Sequence, residues 1–159
     1  MTTAPPSAAE LPEEARQALV RELHLALLSE VGARSVCDHL RRRVRDAALD
    51  AVLARVNEEG ATVVEEVQGL LRTLGAAPRR TSLRRRALAR LLASSARVLG
   101  PAPVVRIAQD ASAKVARWYL QYAWFLAGHG ALEEARTCQR LAATKRLHAD
   151  SLAAFVHRV

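Results

Sequence analysis

Apolar residues in the first half of the chain recur at alternating steps of four and three. Leu19, Leu23, Ala26, Glu30, Ala33, Cys37, Leu40 and Val44 form one such series. Leu49, Leu53, Val56, Gly60, Val63, Val67, Leu70 and Leu74 form a second. The second half repeats the pattern, in Ala111, Val115, Trp118, Tyr122 and Phe125, and in Cys138, Leu141, Lys145, His148, Leu152 and Phe155. Sustained over several turns, this spacing keeps one stripe on one helix face and marks a seam of left-handed bundle packing. The breaks between the series are sharp. Ser7 and Glu10 have capping-box spacing and Pro12 suits a first turn, so a helix is predicted from about Leu11 to Val44. Asp46 caps a second helix that ends at Leu74, with Gly75 as a left-handed stop and Pro78 beyond it. Thr81 or Ser82 opens a short helix over about 83–98, closed by Gly100-Pro101-Ala102-Pro103. Long helices are then predicted from about Val104 to Ala127, ended by Gly128 and Gly130, and from about Leu132 to His157. No stretch alternates with the period of a strand.

The expected fold is therefore all-α. Two antiparallel hairpins are joined by a long crossover, about 75–103, that contains its own short helix. That is the topology of a ferritin-like four-helix bundle. The bundle is expected to occupy residues 10–159 as a single domain, behind a disordered tail at 1–9. A length of 159 residues, half of them hydrophobic, suits one domain with its own core and excludes global disorder. Two cysteines, Cys37 and Cys138, exclude a disulfide scaffold and a multi-cysteine zinc module. No apolar run approaches the roughly 18 residues of a membrane span. The opening Met1-Thr2-Thr3-Ala4-Pro5-Pro6 lacks the apolar core of a signal peptide, so a bacterial cytoplasm is the expected location.

The run from Ser29-Glu30-Val31-Gly32 through Val44-Arg45-Asp46 and Leu49 to Glu66-Val67 resembles small bacterial ferritin-like proteins. More closely, the chain resembles one of their four-helix-bundle families of unknown function. The resemblance rests on Leu74-Gly75-Ala76-Ala77-Pro78 ending the second helix and Thr81-Ser82-Leu83 opening a crossing helix. Gln109-Asp110, Tyr119 and the Lys145-Arg146-Leu147-His148 stretch add looser matches, and the similarity covers about 20–158. It implies a fold rather than an activity.

Within that fold, a di-iron centre needs carboxylates from all four core helices, with Glu-x-x-His on two of them. Most of those ligands are missing. Glu30 lies on the first seam, but the second seam offers Gly60 and Val63 where ligands belong. Glu58 and Glu59 flank that seam with no histidine three residues on. The penultimate helix has no glutamate, and the last has Lys145 where glutamate is expected, followed by His148. A lysine on a core seam opposes bound cations but neutralises a buried carboxylate. Glu30 is therefore expected to pair with Lys145, with His148 nearby. The alternative has Lys145 reaching outward to solvent, with Glu30 at the seam's edge. The functional expectation is a non-catalytic structural or interaction module, without metal or other cofactor, that forms homodimers. The alternative is a metal-binding or oxidoreductase protein using a reduced site at Glu30, Glu59 and His148.

Charge adds a third reading. The net charge is +8, yet only Lys114 and Lys145 are lysines among 24 basic residues, a bias that fits GC-rich codons. One arginine run, Arg41-Arg42-Arg43 with Arg45, lies at the end of the first helix, where cations suit its dipole. Arg79, Arg80, Arg84, Arg85 and Arg86 flank the start of the crossing helix, where they oppose it, so an anion there would be stabilising. These five are candidate anion-binding residues for nucleic acid or polyphosphate, against the plainer reading of a solvated basic surface. Five of six aromatics fall between Trp118 and Phe125. Trp118, Tyr122 and Phe125 are expected to share a face, as core and dimer contact or as a ligand pocket, with Tyr119 and Trp124 pointing elsewhere. Both cysteines sit on apolar seams and are expected to be inert.

Overall fold

The computed structural model describes residues 7–78 and 101–156. Among them are four long helices and no strand: α1 (Glu13–Arg41), α2 (Ala47–Thr73), α3 (Pro101–Gly128) and α4 (Leu132–Val156). The expected crossing helix at about 83–98 lies outside the described residues.

The helix ends follow from local chemistry. Asp46 accepts hydrogen bonds from the amides of Ala48 and Leu49 at 2.8 and 3.1 Å, satisfying two of the free donors that open α2. At the other end Gly75 takes φ +73°, and the Ala76 amide reaches back to the Leu71 carbonyl at 2.9 Å. Gly130, with φ +81°, closes α3 the same way through Ala131 and Leu126 at 3.0 Å. Both are Schellman-type stops, in which a residue without Cβ adopts the left-handed turn at no steric cost. Arg16 of α1 adds a 2.7 Å hydrogen bond to the Leu74 carbonyl. At the chain start, Ser7 caps a short 3-10 turn, Ala8–Glu10. Its first residue, Ala8, is buried, and the Ala8 amide bonds to Glu134 at the start of α4. The core thus reaches into the stretch expected as a tail, and α1 begins just after Pro12 rather than at Leu11.

Three of the four seams are buried nearly as spaced in sequence. On α1 the exception is Ala33, which is half-buried, and on α2 and α4 every seam residue within the helix is buried. The face of α3 differs by about one position. Its buried residues are Val104 and Val105, then Ser112, Val115, Ala116, Tyr119, Tyr122, Ala123 and Leu126, while Trp118 and Phe125 are half-buried and Ala111 is exposed. The physical reason is close approach. Ala116 and Ala123 on α3 and Ala135, Ala142 and Ala149 on α4 are all buried. Small residues at a contact suit the close packing of two helices, and the α3 face that carries them is the one buried, with Tyr119 and Tyr122 between them.

The core falls into two parts. One holds Leu19, Leu23, Val67, Tyr119, Leu126 and Leu141 with their neighbours. The other holds Cys37, Leu40, Leu49, Leu53, Val105, Leu152 and Phe155. Along α1, α3 and α4 the buried polar residues Glu30, Ser112, Lys145 and His148 lie between these two parts. No helix among the described residues is long and apolar enough to cross a membrane.

Candidate functional site

The polar layer between the two core halves is built from one or two residues of each helix. Glu30 lies on the α1 seam because the four-three spacing carries an acid inward at that step, and it is 1 % exposed. Lys145 lies on the α4 seam and is 3 % exposed. The structure brings them together: Lys145 Nζ donates to Glu30 Oε2 at 2.9 Å. Tyr119 of α3 donates its hydroxyl to the other oxygen, Oε1, at 3.2 Å. The carboxylate is thus held by an ammonium on one side and a phenol on the other. Two charges taken out of water need this kind of mutual satisfaction to persist. Burial, and then the neighbouring Glu30 carboxylate, hold the Tyr119 phenol well above its usual range, so it remains a donor.

A second pair lies one turn along α4. His148 is 1 % exposed, and its Nε2 sits 2.7 Å from Glu59 Oε2 on α2. Burial lowers the proton affinity of His148, and the Lys145 ammonium lowers it further, against the pull of Glu59. The folded ring is therefore neutral around pH 7, with Nε2–H donating to Glu59 and Nδ1 buried without a hydrogen-bond partner among the described residues.

The candidate metal ligands are consequently divided. Glu30 is committed to Lys145 and Tyr119, and Glu59 to His148. Among the described residues no three His, Cys, Asp or Glu side chains are grouped to hold a metal ion. An ammonium also stands in contact with Glu30, the buried carboxylate of α1. Among the described residues, these side chains do not make up the ligand set of a di-iron centre.

The remaining sequence candidates are more dispersed. Arg79, Arg80, Arg84, Arg85 and Arg86 lie outside the described residues. Arg41 pairs with Asp50 across the α1–α2 link at 2.9 Å. Gly60, at a position where a ligand would be expected, gives passage to Arg34 of α1: a Cβ there would stand 3.2 Å from the Arg34 side chain. Arg34 continues to Asn57 at 3.2 Å, and Asn57 to Asp38 at 2.6 Å. Cys37 and Cys138 are buried, free thiols. Desolvation pushes them to about 11 and about 12, which keeps them protonated and unreactive.

Of the aromatic group, Trp124 faces outward and Tyr122 inward, where its hydroxyl donates to Glu22 at 3.3 Å. Tyr119, expected off the face shared by Trp118, Tyr122 and Phe125, is the fully buried partner of Glu30. The sequence signal for it is the series Ser112, Ala116, Tyr119, Ala123 and Leu126, which has the same four-three spacing in smaller residues. No family model matches the chain, and no match was found among curated proteins or among solved structures.

Proposed function

We propose that this chain is a non-catalytic, metal-free bundle of ferritin-like type, acting as a structural or interaction module that associates with itself. The observation that carries the reading is the 2.9 Å contact between buried Glu30 and Lys145. In a di-iron bundle, cations at the centre neutralise the carboxylates; here a covalently attached ammonium does so. An antiparallel pairing of α1 and α2 is supported by the order of the contacts between them. Arg41 meets Asp50, Arg34 meets Asn57, and Arg16 meets Leu74, so one helix ascends as the other descends. Self-association is supported by Trp124, which is 71 % exposed. Aromatic side chains left in water favour interfaces.

Elemental analysis tests the metal-free reading directly. Protein expressed in iron- and manganese-supplemented medium is expected to carry far less than one metal ion per chain; near-stoichiometric metal contradicts the proposal. Sedimentation of the same sample is expected to show a dimer that Trp124→Ala weakens, and a concentration-independent monomer would remove the self-association.

A further inference from the structure

A cavity of about 510 Å3 opens between α1 and α3. Gly32 and Ala33 on α1 and Ala108 and Ala111 on α3 leave the space, and Val36, Val56, Ile107 and Leu152 give it an apolar wall. A smaller cavity of about 240 Å3 adjoins it toward Trp118 and Lys114. Ser29, Ala33, Ala111, Ser112 and Lys145 line both. The first volume lies in the range of sites that take small molecules.

The shared floor is rich in donors and poor in acceptors. Lys145, 3 % exposed, uses one ammonium hydrogen on Glu30, and its other two have no partner among the described residues. Ser112 is 5 % exposed, and its hydroxyl makes no hydrogen bond among them either. Glu30 already accepts at both oxygens. The smaller chamber adds the Lys114 ammonium, held 5.3 Å over the Trp118 ring. Two cations and one anion therefore line it. A head group that only accepts hydrogen bonds and carries one negative charge balances both counts. The adjoining apolar space suits an aliphatic tail.

We infer that this paired cavity binds an aliphatic carboxylate. Its head group lies against Lys145, Ser112 and Lys114, and its chain lies in the larger chamber. The site goes beyond the structural role proposed above, and metal analysis and ligand titration fail independently.

Calorimetric titration of the full chain with decanoate, decanol and decyltrimethylammonium is the test. Decanoate is expected to bind at one site, with decanol at least about tenfold weaker, the size of a lost charge-assisted hydrogen bond. The cation is expected not to bind. Gly32→Leu fills the chamber from a position where an added Cβ meets nothing within 4 Å. It should abolish binding while leaving the melting temperature unchanged or raised, since glycine weakens a helix interior. Lys114→Gln, an exposed change, should weaken decanoate up to about fivefold, as for an exposed ion pair. Absence of saturable decanoate binding, equal binding of the cation, or undiminished binding by Gly32→Leu would overturn the inference.

Discussion

Glu30 has two donors, and they differ in what their loss leaves behind. Removing the Tyr119 hydroxyl takes one hydrogen bond from a buried carboxylate that retains its ammonium. Tyr119→Phe is expected to cost about 1.5–3 kcal/mol in chemical denaturation, the range for a hydrogen bond to a charged group. A variant as stable as the parent would show that Tyr119 does not hold Glu30. Titration of His148 belongs at the same scale. Its folded-state proton affinity lies below that of the unfolded chain, whose ordinary value is 6.5. Between those two values the unfolded state binds more protons. Stability therefore falls as pH drops below about 6.5 and stops falling once the folded value is passed. His148→Gln keeps a donor for Glu59 without the proton uptake. The melting temperature of the parent should fall more steeply than that of His148→Gln between about pH 7 and pH 5; equal slopes would place the acid sensitivity elsewhere. Glu30, Lys145 and His148 could be read from the sequence because each interrupts an apolar series at an inward step. Tyr119 is harder to read, because its own four-three series competes with the larger rings spaced along the neighbouring face.

At the scale of elements, stop signals were the more legible part. Asp46, Gly75 and Gly130 act through their own backbone or a side chain two or three residues away, so their geometry is encoded locally. Asp46→Ala removes both amide bonds at the start of α2 and is expected to cost about 1 kcal/mol, with Asp46→Asn or Asp46→Ser recovering most of it. Equal losses in all three variants would exclude capping as the cause. The face of α3 was not legible in the same way. An amphipathic pattern reports how apolar each side is, but α3 has large rings on one arc and small residues on the next. Which arc is buried depends on the partner, and α4 presents alanines at Ala135, Ala142 and Ala149. The Cys37 and Cys138 seams carried no such ambiguity, and both thiols are buried where the spacing placed them.

For the whole molecule, a charged layer lies between two apolar halves of the core. An ion pair in that place is a weak source of net stability, since apolar residues of similar volume hold a core as well. Its role is one of matching: each partner is costly without the other. That dependence is what distinguishes a cation built into the chain from one bound from solution, and it links the proposed metal-free function to the fold. A double-mutant cycle measures it most directly. Glu30→Gln and Lys145→Met are each expected to lose about 3–5 kcal/mol, because each leaves an unpaired polar or charged group buried. The double variant Glu30→Gln/Lys145→Met should lose markedly less than the sum, with a coupling energy of about 2 kcal/mol or more. Losses that add to within about 0.5 kcal/mol, or single variants as stable as the parent, would contradict a buried Glu30–Lys145 pair between the two halves of this core.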